Sequence, residues 1–191
     1  IEFSELNNGS EIELYLNADH NWRPNTLILN RRLLHGYLKK GFPKHPTTKS
    51  MVVRVLNACN KWGFKKKLIP EYESIPGGNK YEARNRVFTK DELDLLFDNV
   101  TPFHFNQFIQ FAYYTGARSG EIRRISKATV LSDYMIVDGK SGRRIVRLAS
   151  QARKILDQNP QWDYTVNYVQ LTWSRNRNRL GLEDARMHDL R

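Results

Sequence analysis

Thr115-Gly116-Ala117-Arg118-Ser119-Gly120-Glu121-Ile122 reads as a junction between two helices with an arginine held at its centre. The helix before it ends at Thr115-Gly116, so the Arg118 guanidinium is free to aim away from that helix and into a cleft. Guanidinium offers a rigid fork of donors matched to phosphate oxygens, which lysine does not. Glu121 lies one helical turn on and can pair with an arginine to fix its rotamer. The last four residues, His188-Asp189-Leu190-Arg191, form a His-x-x-Arg pair. At i and i+3 its two basic side chains share one helical face. Each pattern alone is an ordinary surface pairing. Together, in this order, two arginines and a histidine from distant parts of the chain are a way to hold one phosphate.

Composition narrows the partner. The chain has 191 residues, enough for one domain or two small ones, and 40% of them are apolar and 12% aromatic, ample for a core. Its formal charge is +11, a balance that usually answers an acidic partner, of which nucleic acid is the commonest. A membrane surface fits less well, because there is no basic amphipathic stretch with a clean apolar face. No apolar run reaches the roughly 18 residues of a spanning helix and no signal peptide is visible. The single cysteine, Cys59, excludes an internal disulfide and suits a reducing compartment. Its spacing from Val52, Val55, Leu56 and Trp62 makes it a core residue rather than a catalytic thiol. His20, His35, His45, His104 and His188 are scattered without cysteine partners, so no metal site and no cofactor are expected. The chain begins at Ile1 rather than Met, so further residues are expected before it.

On the N-terminal side of the junction the pattern is helical. Glu11 to Ala18 is a short helix, and Pro24 opens a second one that carries Leu27, Leu34 and Leu38 and stops at Gly41. Thr47 or Thr48 is expected to cap a third helix with the face Val52, Val55, Leu56, Cys59 and Trp62, stopped by Gly63. Lys65-Lys66-Lys67 follows; such a run is usually a solvated face, and in a basic chain it is also a candidate phosphate contact. Ser74-Ile75-Pro76-Gly77-Gly78-Asn79-Lys80 cannot comfortably continue a helix or strand and reads as a linker. Lys80, Arg84 and Arg86 make that connector basic.

Nearer the junction, Thr89-Lys90-Asp91-Glu92 is a capping box opening a helix buried along Leu93, Leu96 and Phe97. Phe105, Phe108, Ile109 and Ala112 mark the amphipathic helix that leads into the junction. A short helix is expected from Ser119 to about Ser126. The period then changes to two: Ala128–Leu131, Tyr134–Val137 and Arg144–Leu148 read as three antiparallel strands, with a turn at Asp138-Gly139-Lys140-Ser141-Gly142. Ser150 caps a helix to Asp157. Asp163 caps a longer one ending in Arg175, Arg177 and Arg179. The fold class is therefore mainly α with a small three-stranded antiparallel sheet, an α+β arrangement.

These landmarks, in this order, resemble the tyrosine recombinases, the phage-integrase family, from about Glu11 to the end. Thr-Gly-Ala-Arg-x-x-Glu-Ile is similar to box I, and His-x-Leu-Arg to the start of box II. Gly139-Lys140-Ser141-Gly142 falls where the family places its catalytic lysine. The capping box at Thr89 falls where its catalytic domain begins, and Trp62 with Leu68-Ile69-Pro70 resembles the end of its core-binding domain. The resemblance implies a helical, SAM-like core-binding domain over 1–73, a linker over 74–86, and a catalytic domain over 87–191 that is C-terminally incomplete. It implies DNA cleavage and rejoining through a 3′-phosphotyrosyl intermediate, with no cofactor and no metal. Arg118 and Arg191 would clamp the non-bridging phosphate oxygens, His188 would assist proton transfer, Lys140 would protonate the leaving 5′-oxygen, and Glu121 would support the arginine. Lys65, Lys66, Lys67, Lys80, Arg84, Arg86, Arg175 and Arg177 are the candidate DNA contacts. The implied partners are a double-stranded core site and other copies of the chain, assembled as a tetramer on DNA. The implied setting is the cytoplasm of a bacterium hosting a phage or mobile element.

The family's later box-II histidine or tryptophan and its tyrosine nucleophile come after the position of Arg191. All nine tyrosines here precede it. Two readings therefore stand: an integrase-type recombinase of which this is a truncated copy, or a non-catalytic DNA-binding accessory or regulatory protein that kept the fold.

Overall fold

The computed structural model describes residues 9–78, 84–125, 129–139, 142–158 and 160–191. Lys80, Lys140 and the start of the first expected strand lie outside the described residues. The chain divides into two compact units, Ile1–Arg84 and Asn85–Arg191.

The first unit packs three helices, α1 (Gly9–Asn17), α2 (Pro24–Lys40) and α3 (Pro46–Lys65). Pro24 and Pro46 each sit at the first helical position, where a locked φ suits the turn and the missing N–H would have had no partner anyway. Pro46 corrects the expected cap. With the start set at His45, Thr47 and Thr48 fall inside the first turn, and no side-chain cap forms. Gly63 is corrected as well: α3 runs through it and ends at Lys65. A Cβ at Gly63 would collide with the Glu11 carboxylate, so the glycine lets α1 approach α3 closely. The helix closes instead through Lys67, whose φ of 59° is left-handed, while the Leu68 N–H returns to the Gly63 carbonyl at 2.9 Å.

Ile12, Tyr15 and Leu16 from α1, Leu33 and Leu34 from α2, and Val52, Leu56 and Cys59 from α3 form this unit's core. Burial, with help from the nearby Glu11 charge, pushes the Cys59 thiol up to about 12, which suits packing and not nucleophilic chemistry. Residues past α3 turn back along it. The Asn57 side chain exchanges two hydrogen bonds with the Ile75 backbone, at 2.9 and 3.0 Å, and the Ser50 hydroxyl donates to the Gly78 carbonyl at 3.0 Å.

The second unit opens with α4 (Lys90–Asn99). Its capping box is fully formed: the Thr89 Oγ1 accepts from the Glu92 N–H at 3.2 Å, and the Thr89 N–H donates to Glu92 Oε2 at 2.9 Å. Next come α5 (Phe103–Thr115), the single turn α6 (Ser119–Ile122), strands β1 (Tyr134–Gly139) and β2 (Gly142–Arg147), α7 (Ser150–Asp157), α8 (Val166–Arg179) and a 3-10 turn, Met187–Leu190. The turn α6 is shorter than expected, ending as a helix at Ile122. Thr165, not Asp163, caps α8; its hydroxyl accepts from the Tyr168 N–H at 3.1 Å.

The sheet has two strands among the described residues rather than three. β1 and β2 pair antiparallel with Met135 opposite Val146, Val137 opposite Arg144 and Gly139 opposite Gly142. Among its described residues the expected first strand contributes a single bridge, from Val130 to Met135. An alternating apolar run was legible there, but one bridge does not extend into a ladder.

The core of this unit is built on α5, whose Phe105, Phe108, Ile109, Phe111 and Ala112 are all buried. Met135, Val137 and Val146 cover it from the hairpin, and Trp162, Val169, Trp173 and Leu190 from the C-terminal half. Buried tryptophans need a partner for the indole N–H. Trp162 donates to the His104 carbonyl at 3.1 Å and Trp173 to the Ala185 carbonyl at 3.2 Å. Among the described residues no helix is long and apolar enough to cross a membrane.

Candidate phosphate-binding site

Three local devices in the second unit put guanidinium groups in one place. The first is the end of α5. Gly116 takes the left-handed conformation, φ 62°, and its N–H caps the helix on the Ala112 carbonyl at 2.9 Å. Ala117 and Ile122 on either side are buried, so Arg118 is presented between two anchored residues. Glu121 folds back on it. Oε2 accepts from the Arg118 backbone N–H at 2.7 Å and Oε1 from the Arg118 guanidinium at 3.0 Å.

The second device is the hairpin. Side chains alternate across a strand, so Arg144 lies on the same face as the buried Val146. It therefore reaches inward. Its Nη2 donates to Glu121 Oε2 at 2.8 Å and to the Gly116 carbonyl at 3.4 Å, and its Nε lies 3.4 Å from Glu121 Oε1. Gly139, at the far end of β1, is packed on the same carboxylate: a Cβ there would stand 3.0 Å from Glu121 Oε1 and 3.9 Å from Arg118 Nη1. The residue that precedes Lys140 in the chain is thus at the arginine cluster, although Lys140 itself is outside the described residues.

The third device is the C-terminal turn. Leu190 is buried in the core and pins the 3-10 turn. Burying one such side chain contributes about 2 kcal/mol. Arg191 then emerges and its Nε donates to the Gly116 carbonyl at 2.8 Å, closing a loop of 75 residues in sequence. His188 is exposed in the same turn, and its carbonyl accepts the Arg191 N–H at 3.4 Å. Among the described residues the His188 ring has no hydrogen-bond partner, so the turn is shared with Arg191 but no contact joins the ring to the arginines.

The electrostatics follow from this geometry. The Glu121 side chain is only 2% exposed. Burial alone would raise its pKa, but hydrogen bonds from Arg144 and from the Arg118 backbone and side chain outweigh that and hold it at about 2. At Arg191 the shift disfavours the charged form. Its pKa is lowered by burial and by the neighbouring Arg118 and Arg144 charges, with only Glu121 opposing. Three guanidinium groups against one carboxylate leave an excess of two positive charges. That excess, on half-exposed donors already fixed by their partners, is what an oxyanion with several equatorial oxygens requires. The cluster is a surface feature: a separate cavity of about 600 Å³, lined by Ile122, Val130, Leu156 and Trp162, includes neither Arg118 nor Arg191.

The remaining basic candidates separate by what they already hold. Lys65, Lys66 and Lys67 are exposed at the end of α3 and Arg175 is exposed too, while Arg84, also exposed, already has a partner. Arg86 is not available in the same way. Its fork makes a two-bond pair with Glu92 at 2.7 and 2.9 Å, its Nε donates to Asp184 at 3.1 Å, and it covers the Phe88 ring at 4.4 Å. Arg177 donates to the Ala185 carbonyl at 2.8 Å and is partly buried. Both arginines are spent on the fold of the second unit, which sequence spacing alone could not reveal.

No protein-family model matches the sequence, and no curated protein matches it. Solved structures do match the fold. A lambda integrase dimer bound to a COC′ core site superposes with a TM-score of 0.72 at 15% identity, over 98% of this chain and 69% of that one. A lambda integrase(75-356) dimer bound to a COC′ core site gives 0.74 at 15% identity, over 95% and 85%. A lambda integrase tetramer bound to a Holliday junction gives 0.71 at 13% identity, over 98% and 72%. The fold is that of lambda integrase.

Proposed function

We propose that this chain carries the phosphate-binding part of a site-specific DNA recombinase, one that cleaves and rejoins DNA strands through a 3′-phosphotyrosyl intermediate. The observation that carries the reading is the meeting of Arg118 and Arg191 at one turn, braced by a buried carboxylate and carrying surplus positive charge. The likeness to DNA-bound integrases supplies the class of substrate: a duplex core site, engaged by several copies of the chain. The setting proposed is the interior of a cell that hosts the element.

In the reaction, a tyrosine oxygen attacks the scissile phosphorus and the bond to the 5′-oxygen breaks. Negative charge on the equatorial oxygens peaks in the pentacoordinate transition state, so preorganised arginines stabilise that state more than the ground state. Arg118 and Arg191 take those oxygens. His188, exposed beside Arg191, assists proton transfer. Lys140 delivers a proton to the leaving 5′-oxygen. Reversal by a partner strand's 5′-hydroxyl releases the tyrosine and restores the phosphodiester, so the bond energy is conserved without ATP.

Two assays test this. Binding to duplex DNA should weaken steeply with salt, with a log–log slope of about −0.9 per phosphate contact; affinity that ignores salt contradicts the reading. A nicked suicide duplex should give no covalent band with these 191 residues, since every tyrosine precedes Arg191. A form extended beyond Arg191 that still gives none, while binding DNA normally, favours a non-catalytic DNA-binding role.

A further inference from the structure

We infer that Arg144 is the positioning residue that sets the spacing between Arg118 and Arg191, an inference that rests on the phosphate-site reading above. It is the one described side chain that touches both anchors. Glu121, which holds Arg118, accepts from Arg144 Nη2 at 2.8 Å. The Gly116 carbonyl, which holds Arg191, accepts from the same nitrogen at 3.4 Å. The bonds therefore run in series from Arg118 through Glu121, Arg144 and Gly116 to Arg191.

The planar fork is what makes this bridge. Nη2 and Nε face the two Glu121 oxygens, which fixes the plane of the guanidinium, and Nη2 in that plane also reaches the Gly116 carbonyl. A lysine in the same place carries the same charge on a single nitrogen at the end of a flexible stem. It can reach Glu121 or the Gly116 carbonyl, but without a rigid plane clamped on the carboxylate it does not set the angle between the two acceptors. Arg144 also carries information from the hairpin. It sits two residues past Gly142 on β2, opposite Val137, and its partner Glu121 is packed against Gly139 on the other arm. A shift of β1 against β2 is therefore felt by the spacing of the two phosphate-facing arginines.

The experiment follows the arginine side-chain Nε–H signals by NMR in the 191-residue chain during titration with inorganic phosphate. In the wild type, Arg118 and Arg191 should shift together with one dissociation constant. In Arg144→Ala and Arg144→Lys the two should uncouple, and phosphate should bind about tenfold more weakly, the effect of losing one well-aligned charge-assisted contact. Backbone spectra and thermal unfolding confirm that each variant is folded. If Arg144→Ala does not fold, Arg144→Lys decides alone. Wild-type affinity in Arg144→Lys overturns the inference, because charge without the fork would then suffice. Unchanged affinity and coupled shifts in Arg144→Ala overturn it too. If phosphate moves neither Arg118 nor Arg191 in the wild type, the phosphate-site reading fails along with it, a result distinct from the other two.

Discussion

Replacing Glu121 by glutamine removes one negative charge from beneath three guanidinium groups while keeping the size of the side chain. The side chain is 2% exposed, so water cannot substitute for the lost partner. Its carboxyl is held at about 2 against an ordinary 4.5, and that difference corresponds to about 3 kcal/mol of stability. The sign is that of a depressed acid. The contribution is complete above the unfolded value, and is lost as pH falls from about 4.5 toward about 2. Glu121→Gln should therefore destabilise the second unit by about 3 kcal/mol at pH 7. The amide also turns a donor toward Arg118 or Arg144, which adds to the cost. At pH 3 the wild type has already lost much of the benefit, and the difference should shrink to about 1 kcal/mol. Urea unfolding of both proteins at pH 7 and pH 3 measures this. A difference that is the same at both pH values would show that the carboxylate's charge is not what the arginines hold.

The first unit should respond to pH in the opposite direction. Burial pushes the Glu11 carboxyl up to about 7. Stability is then complete below about 4.5 and falls as pH rises through about 7, by about 3 kcal/mol in total; Glu11→Gln should be near neutral at pH 4 and stabilising at pH 8, and equal effects at the two would count against it. Arg86→Ala should lower the unfolding midpoint of the second unit, since it removes the Arg86 bonds to Glu92 and Asp184. A cost of about 1–3 kcal/mol is expected for such charge-assisted bonds. Its DNA affinity and salt slope should stay at wild-type values, whereas Arg175→Ala should reduce the slope by about one contact. A slope that drops for Arg86→Ala would return that residue to the DNA interface.

Helix positions were legible because proline, glycine and apolar spacing act locally. Pro24, the Thr89 capping box and the Gly116 stop each work within one turn of chain. What was not legible depends on partners far away in sequence. Gly63 reads as a stop until Glu11 is seen packed against it. Val130 sits in an alternating run, yet it meets β1 at a single bridge. At the candidate site, Arg118 and Glu121 are related by helical spacing alone, and the His-x-x-Arg turn is visible as a pattern. Arg144 is different: its reach toward Glu121 follows from strand register, and register is set by pairing rather than by local composition. The same holds for Arg86 and Arg177, which look like free cations in a basic chain and are bonded within the fold.

In the proposed function Arg118 and Arg191 together take one DNA phosphate. A crystal structure of this chain with duplex DNA tests it most directly. The expected result is a single phosphodiester whose non-bridging oxygens lie about 2.7–2.9 Å from guanidinium nitrogens of both residues, with Glu121 and Arg144 still joined behind them. A bound duplex whose backbone leaves Arg118 and Arg191 facing solvent, with the phosphates held elsewhere on the chain, would contradict it.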